Sequence, residues 1–253
     1  MSDRAPSPQS TWDALFGDFY LRAYAGGQDG GPARDQALAA VRLGAGPEGG
    51  DVLDAPCGYG RHAVPLAQAG YRVTGVDRSR TLLDAAQAAA GDGPAPRLVE
   101  ADYRELPLAD ASFDVALNLF SSLGYLGDAE DERVLGELHR VLRPGGRLVL
   151  ETMHRDLLVR RFQESDWRLL GEGRLMLEQR TFDARAGVVQ TTQTLIETDG
   201  RRESRSWSVR VYAATELVAM LERAGFDEVR CLGDLHGAPL RTDTRLVVAA
   251  TKR

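Results

Sequence analysis

Residues 51–77 read DVLDAPCGYGRHAVPLAQAGYRVTGVD, the pattern of a strand, a glycine loop, a helix and a second strand. The first apolar run ends where Gly58 and Gly60 break it, and apolar residues return at helical spacing over 62–69. The second strand closes on Asp77. This order of elements predicts one half of an α/β fold that binds a nucleotide beside the glycine loop.

The glycine loop and the acid have separate tasks in such a fold. Glycines at alternate positions let the backbone approach a ligand where a Cβ atom would clash, and the next helix offers N–H groups and its positive dipole end. Asp77 is placed to accept both hydroxyls of a ribose. Its alternative role is to cap the following helix, but Ser79 can supply that cap itself. Taken alone, the loop also fits a nicotinamide-dependent dehydrogenase.

Three further features favour a different cofactor. Asp54 ends the first strand four residues before Gly58, where dehydrogenases usually carry a glycine. A third strand over 98–101 leads into Asp102, a second acid suited to an adenine amino group. Residues 142–150, LRPGGRLVL, are typical of a helix end, a Pro-Gly-Gly turn and a strand.

With these motifs in this order, residues 51–150 resemble the class I S-adenosylmethionine (SAM) dependent methyltransferases. The loop CGYGRHA at 57–63 resembles their small-molecule branch, whose loop reads CGxGRHA. The resemblance implies a Rossmann-like α/β fold with a seven-stranded sheet of order 3-2-1-4-5-7-6 and an antiparallel last strand. It also implies SAM as cofactor, S-adenosyl-L-homocysteine (SAH) as product and a small-molecule methyl acceptor. The alternative is a SAM-binding partner or regulatory subunit without catalysis.

The resemblance also assigns roles in cofactor binding. Asp77 is expected to bind the ribose, and Arg78 to cover one face of the adenine. Asp102 and the backbone of Tyr103 are expected to bind the adenine edge, while Asp54 orients the glycine loop. The predicted cofactor site as a whole consists of Tyr20, Tyr24, Asp54, Ala55, Cys57, Gly58, Gly60, Asp77, Arg78, Asp102, Tyr103, Leu119 and Phe120.

Aromatic residues recur every four positions near the start of the chain, at Trp12, Phe16, Tyr20 and Tyr24. This spacing predicts a helix over 11–24 with one aromatic face, which core packing alone would explain. The resemblance implies instead that the helix covers the cofactor and that Tyr20 or Tyr24 reaches its carboxylate. The glycine-rich stretch 26–32 would let such a lid open.

The alternation of helix and strand is interrupted after the core strand that ends near residue 153. Three stretches joined by turn-forming residues predict an inserted antiparallel three-stranded meander, at 174–182, 188–198 and 202–212. A helix over 216–224, with Thr215 as its N-cap, and strands at 226–232 and 245–251 then complete the main sheet. The predicted organisation is a helical lid at 1–46 and a methyltransferase domain at 47–253, in which the meander at 174–212 roofs the acceptor pocket.

The acceptor pocket is expected at the carboxyl ends of the strands, lined by Ser121, Tyr125, Met153, His154 and His236. His154 follows the fifth strand and is the best candidate for a general base, with a histidine bonded to backbone as the alternative. A base is required only if the acceptor arrives protonated. Residues 118–121, NLFS, lack the Pro-Pro pair of amino methyltransferases that act on nucleic acids, which argues against that acceptor class.

Composition favours a cytoplasmic enzyme. The 253 residues are 43% hydrophobic, enough for one large α/β core. With 31 basic and 37 acidic residues the formal charge is −6, which opposes binding to nucleic acid. We expect no membrane span, no signal peptide and no metal site, and we expect Cys57 and Cys231 to be free thiols. The oligomeric state is left open between a monomer and a homodimer.

Overall fold

The computed structural model describes residues 15–25 and 31–253, so Trp12 and most of the glycine-rich stretch lie outside the described residues. The helices are α1 (Asp18–Tyr24), α2 (Gly31–Leu43), α3 (Ala63–Gln68), α4 (Arg80–Ala90), α5 (Asp128–Val141), α6 (Arg155–Arg160) and α7 (Ala214–Arg223). The strands are β1 (Asp51–Asp54), β2 (Arg72–Asp77), β3 (Arg97–Glu100), β4 (Phe113–Asn118), β5 (Leu142–Thr152), β6 (Ser165–Leu169), β7 (Leu175–Asp183), β8 (Val188–Ile196), β9 (Arg202–Arg210), β10 (Phe226–Leu232) and β11 (Leu246–Lys252).

The main sheet has seven strands in the order β3-β2-β1-β4-β5-β11-β10. Strands β1 to β5 are parallel to their neighbours among themselves, and β11 is antiparallel to both β5 and β10. This is the predicted fold, so the α/β expectation is confirmed. Strands β2 and β3 are added on one side of β1, whereas β4 and β5 are added on the other side. The order in which strands join the sheet therefore reverses between β1 and β4. The crevice at the carboxyl ends of these two strands is where such sheets bind ligands.

The main sheet is buried on both faces by apolar side chains. Val52 and Leu53 are neighbours on β1 and point to opposite faces, as the alternation of a strand requires. Val52 packs with residues of α2 and α3, whereas Leu53 packs with residues of α5 and α7. Burial on both faces explains why the parallel strands have nearly continuous apolar sequences. The core therefore fixes the position of every strand end that faces the crevice.

The inserted sheet has four antiparallel strands in the order β6-β7-β8-β9, where the sequence predicts three. The missed strand β6 is exposed at all five residues, so it has no alternation of buried and exposed side chains that could indicate a strand. Its partner β7 alternates clearly and was predicted. The tight turn before β8 is closed by Asp183, whose Oδ1 accepts the backbone N–H groups of Arg185 and Ala186.

Two local expectations need correction. Thr215 is not the N-cap of α7, because the helix begins at Ala214 and Glu216 accepts the backbone N–H of Ala213 at 2.8 Å. The Pro-Gly-Gly turn does not end a helix and start a separate strand. Instead β5 runs from Leu142 through this segment, with a bulge opposite β4. The predicted cap of α4 is confirmed, since Ser79 Oγ accepts the N–H of Leu82.

The segment 15–24, which we call the lid segment, packs against the inserted sheet. Leu15, Phe19 and Ala23 form a buried cluster with Met176 of β7 and Leu195 of β8. The inserted sheet thus shares a core of its own with the lid segment. Within the described ranges, no helix has the length and apolar character needed to cross a membrane.

Candidate functional site

The glycine loop between β1 and α3 is held by backbone hydrogen bonds. The N–H of Cys57 donates to the carbonyl of Val76 at 2.8 Å, and the N–H of Gly60 donates to Cys57 at 3.0 Å. Gly58 and Gly60 have φ of 53° and 79°, conformations that favour glycine. A Cβ on Gly60 would lie 2.8 Å from a methyl carbon of Val64, whereas a Cβ on Gly58 would meet no atom within 4 Å. Gly60 is needed for packing, and Gly58 keeps space open beside the loop.

Asp77 lies at the carboxyl end of β2 and is 6% exposed. Its Oδ2 accepts the N–H of Gly58 at 2.8 Å, and its Oδ1 accepts the N–H of Ser79 at 2.9 Å. Burial raises the pKa of this carboxyl, although the backbone N–H groups act in the opposite direction. Each carboxylate oxygen keeps capacity for a further hydrogen bond. Asp77 can therefore brace the loop and still accept hydroxyl groups of a ligand.

Asp54 is a second buried acid at this crevice, and it is 1% exposed. Burial, followed by the nearby charge of Asp77, raises the pKa of Asp54 to about 8. The N–H of Ala63 at the start of α3 donates to this carboxyl, while Oδ2 has no hydrogen-bond partner among the described residues. At neutral pH Asp54 is largely protonated, and its second oxygen is available to a ligand or to water.

We expect the contribution of Asp54 to the stability of the protein without cofactor to fall as pH rises from about 4 to about 8. The folded pKa of Asp54, about 8, lies above its ordinary value of 3.8, so the folded state binds a proton more tightly across this range. The maximal slope for one such group is ~1.4 kcal/mol per pH unit. Replacing Asp54 by Asn removes this titration. The measured quantity is the unfolding temperature of Asp54→Asn minus that of the parent protein. This difference should be more positive at pH 8.5 than at pH 5. Equal differences at both values would contradict the buried proton.

The predicted adenine-side residues lie at the end of β3. Arg104 binds the Asp102 carboxylate through Nε at 3.0 Å and Nη2 at 2.6 Å, and Arg78 Nη1 lies 3.9 Å from Oδ2. Burial alone would raise the pKa of Asp102, but the bonds from Arg104 outweigh it, so the pKa is lowered. Tyr103 is 3% exposed and donates its hydroxyl to the carbonyl of Ser122 at 3.2 Å. This end of the crevice is rigidly connected to the loop after β4.

The loop after β4 forms the opposite wall. Asn118 is fully buried and donates from Nδ2 to the carbonyl of Ala55 at 2.8 Å, which joins the ends of β4 and β1. Its Oδ1 has no hydrogen-bond partner among the described residues. Leu119 is 2% exposed, and the next two residues, Phe120 and Ser121, both have positive φ. A buried acceptor atom is thus available on this wall too.

A cavity that is partly open to solvent lies between these walls. Its lining comes from the lid segment, the glycine loop, the ends of β2 and β4 and the start of α4. The lining residues are Phe16, Tyr20, Pro56, Cys57, Gly58, Tyr59, Arg61, His62, Asp77, Leu82, Leu119, Phe120, Ser121, Ser122 and Tyr125. The cavity brings together eight of the predicted site residues, namely Tyr20, Cys57, Gly58, Asp77, Leu119, Phe120, Ser121 and Tyr125.

Three predicted acceptor residues are not among the described residues that line this cavity. His154 is 2% exposed, and its Nδ1 lies 3.1 Å from the carbonyl of Thr244, so this nitrogen carries the proton. That is the backbone-bonded arrangement weighed as the alternative to a general base. Met153, which precedes it, is half-buried away from the lining. His236 is exposed, with Nε2 3.3 Å from Asp35 of α2.

Arg61 and His62 line the cavity but were not predicted as site residues. Arg61 is 8% exposed, donates to Gln36 of α2 at 3.0 Å and places its guanidinium 4.4 Å from the ring centre of Phe120. Burial, aided by the charge of Arg61, lowers the pKa of His62 to about 3, so this imidazole is neutral. Both belong to the CGYGRHA loop, whose spacing could have indicated that they face the ligand.

The lid segment separates the cavity from the inserted sheet. Phe16 and Tyr20 line the cavity, while Arg22 forms ion pairs with Glu197 at 2.6 Å and with Glu203. Tyr24 stacks on Tyr20 with ring centres 4.7 Å apart and accepts a hydrogen bond from Gln193 at 2.7 Å. In the described part of the chain, no residue of 174–212 lines the cavity. The inserted sheet, the expected roof of the acceptor pocket, therefore packs behind the lid segment in this structure.

Comparison with known proteins places this geometry in a family. A family model described as a methyltransferase domain matches residues 52–146. These residues are a methyltransferase domain. Over 102 residues the chain is 38% identical to the malonyl-[acyl-carrier protein] O-methyltransferase of Pectobacterium atrosepticum. The aligned residues are 40% of this chain and 38% of that protein. The chain spans between 38% and 57% of the length of the curated relatives it matches.

Two solved methyltransferase structures resemble nearly the whole chain. The CcbJ methyltransferase from Streptomyces caelestis has a TM-score of 0.81 at 22% identity, covering 95% of this chain and 97% of that one. CalS10 from Micromonospora echinaspora, an amino pentose methyltransferase with SAM bound, has a TM-score of 0.71 at 26% identity, covering 94% and 98%. Both structures confirm the predicted fold. The domain match over residues 52–146, together with CalS10, confirms the predicted class I superfamily and SAM as its cofactor.

The residues of the cavity fit this cofactor. Gly58 leaves the space that a ligand beside the loop would occupy, and Asp77 retains acceptor capacity for ribose hydroxyls. Behind the lining, Asn118 Oδ1 is a buried acceptor, and Asp54 becomes a second one when it releases its proton; both would suit the ammonium group of an amino acid or a water bound to it. The chemistry of the walls therefore matches the two polar ends of SAM.

Proposed function

We propose that this protein transfers a methyl group from SAM to a small-molecule acceptor that binds in the same cavity. The observation that carries the proposal is the continuity of the cavity, which runs from Gly58 and Asp77 to the aromatic side chains of the lid segment and Tyr125. Bound SAM supplies an electrophilic methyl group, and transfer requires that the acceptor atom be aligned with it. Alignment of this kind can contribute up to ~7 to 11 kcal/mol in favourable cases.

The chain's own residues contribute by binding and by excluding water. Asp77 and the glycine loop hold the nucleoside, while Phe16, Tyr20 and Tyr125 close the side of the cavity toward the inserted sheet. Among the described lining residues, Asp77 is the only carboxylate, and the neutral His62 is a weak base. The cavity thus favours an acceptor atom that needs no strong base, such as an uncharged amine. The amino pentose specificity named for CalS10 makes amino sugars the first compounds to test.

Calorimetry with SAM, SAH and NAD tests the cofactor, and turnover tests the reaction. We expect heat with SAM and SAH only, followed by methyl transfer to a member of a panel that begins with amino sugars. Binding of NAD alone would overturn the proposal. Binding of SAH without transfer to any compound would favour the silent-subunit alternative. We further propose that the protein is cytoplasmic and does not bind nucleic acid. We also propose that it is a monomer or a homodimer, and its mass measured by light scattering would distinguish these two states.

For the domain organisation, we propose that the lid segment closes the cavity and that the inserted sheet holds it there. Arg22→Ala removes the ion pairs with Glu197 and Glu203, and we expect SAH affinity to fall about fivefold because the lid segment is less well ordered. Arg201→Ala is the matched control, since Arg201 pairs with Asp199 in an exposed turn of the same sheet. Equal SAH affinities of the two variants by calorimetry would refute the support role of the sheet.

A further inference from the structure

Phe120 and Ser121 are consecutive non-glycine residues with φ of 61° and 60°, at the point where β4 ends. The left-handed conformation is unfavourable for a residue with a Cβ atom, and two in succession persist only where the surrounding structure holds them. Neither residue is buried: Phe120 is 36% exposed and Ser121 is half-buried. Core packing alone therefore does not account for this turn.

Two charged residues, one on β5 and one just before β11, hold the turn. Glu151 of β5 accepts the N–H of Phe120 through Oε2 at 3.1 Å and the N–H of Ser121 through its backbone carbonyl at 3.0 Å. Arg245, just before β11, donates from Nη2 to the hydroxyl of Ser121 at 2.7 Å and from Nε to Glu151 at 2.5 Å. The Glu151 side chain is 14% exposed, whereas the Arg245 side chain is 43% exposed, so Glu151 is the more enclosed of the two partners. We call Glu151 and Arg245 the clamp.

The turn held by the clamp is part of the cavity wall. Phe120 and Ser121 both line the cavity, and the ring of Phe120 covers the guanidinium of Arg61. Immediately before them, Asn118 offers its unpartnered oxygen beside the glycine loop. This wall therefore faces the amino-acid end of the cofactor in the proposed function, whereas Asp77 serves the nucleoside end.

We propose that Glu151 and Arg245 are positioning residues, which hold Phe120 and Ser121 in the left-handed turn and so shape the wall at the amino-acid end of SAM. The inference rests on the proposed function for its ligand, but the clamp itself is a property of the protein alone. Neither residue lines the cavity among the described residues, so the clamp acts through the turn.

A ligand-free mutant cycle tests the clamp. The measured quantity is the ratio of the unfolding equilibrium constant of Ser121→Ala to that of Ser121→Gly. With Glu151 present this ratio should be about threefold, because glycine adopts positive φ without strain. Both variants lose the hydroxyl, so the alanine variant controls for the bond to Arg245. In the Glu151→Ala background this ratio should fall toward one, because the side-chain bond to the N–H of Phe120 and the ion pair with Arg245 are lost, while the backbone carbonyl of residue 151 still accepts the N–H of Ser121. An unchanged ratio in denaturant unfolding would overturn the clamp, because the turn would then be left-handed without it.

A ligand comparison tests the role of the wall. SAH and 5′-methylthioadenosine share the nucleoside, but only SAH carries the amino-acid end. Glu151→Ala should weaken SAH binding about tenfold and leave 5′-methylthioadenosine binding within about twofold, as measured by calorimetry. Equal losses for both ligands, or no loss for SAH, would overturn the positioning role. Arg241→Ala is the control, because Arg241 pairs with Asp243 in the exposed loop that also carries Arg245.

Failure of the proposed function gives a different result. In that case the parent protein binds neither SAH nor 5′-methylthioadenosine, and the assigned role of the wall falls with it. The mutant cycle needs no ligand, so it still decides whether Glu151 holds the turn.

Discussion

Replacing Gly58 by valine is expected to abolish SAM binding in a protein that remains folded. Gly58 has φ of 53°, and a Cβ at this position would meet no protein atom within 4 Å. The valine side chain would therefore occupy the open space beside the loop, which is where the cofactor must lie. Isothermal titration with SAM and SAH should show no heat, and circular dichroism should show the secondary structure of the parent protein.

Gly91→Val is the matched control for this variant. Gly91 follows α4 with φ of 58°, and an added Cβ would also meet no atom within 4 Å, but the residue does not line the cavity. Both variants place a valine at positive φ, so both should unfold at lower temperature, and Gly91→Val the more so because the ψ of −142° at Gly91 lies outside the left-handed helical region. Only Gly58→Val should lose binding. If both bind SAH with parental affinity, the glycine loop is not where the cofactor binds.

Asp77→Ala is expected to weaken binding of SAM and SAH by ~1 to 3 kcal/mol, or roughly 5-fold to 150-fold. The ribose hydroxyls lose a charged acceptor in a buried site, and the N–H of Gly58 loses its partner. Because the nucleoside is common to both ligands, 5′-methylthioadenosine should be weakened as much as SAH. This pattern differs from the one expected for Glu151→Ala.

Asp84→Ala provides the control for Asp77→Ala. Asp84 lies on α4, pairs with Arg80 at 2.7 Å and is 59% exposed, so its loss changes the net charge equally without touching the cavity. Parental affinity in Asp84→Ala and reduced affinity in Asp77→Ala are the expected calorimetric results. A folded Asp77→Ala variant that binds SAH as tightly as the parent protein would remove the ribose role from this residue.

Much of the main sheet could be predicted because its strands and loops have local signals. The β1 strand, the glycine loop and Asp77 are close in sequence, and β1 pairs with β2 while Asp77 bonds the N–H of Gly58 within this stretch. The strand order followed from the resemblance, and the carboxyl-end crevice followed from the strand order. This part of the site needed only the spacing of apolar residues, glycines and acids.

Other features depend on contacts between distant residues and have no local signal. His154 follows a core strand, as a catalytic base might, but the loop that holds Thr244 buries it and fixes its proton. Strand β6 is defined only by pairing with β7. The aromatic spacing at 16–24 indicated a helix but could not show that its two sides contact different partners. Tertiary contacts decide each of these outcomes.

The lid segment lies between the cavity and the inserted sheet, and this position limits how the protein could acquire new substrates. Phe16 and Tyr20 shape the cavity from a segment whose other side, Phe19 and Ala23, is buried against the inserted sheet. A change of backbone there would disturb two packed interfaces at once. Laboratory evolution toward a larger or differently shaped acceptor would therefore accumulate its first tolerated changes as side-chain replacements at Phe16 and Tyr20, with the backbone of the segment kept.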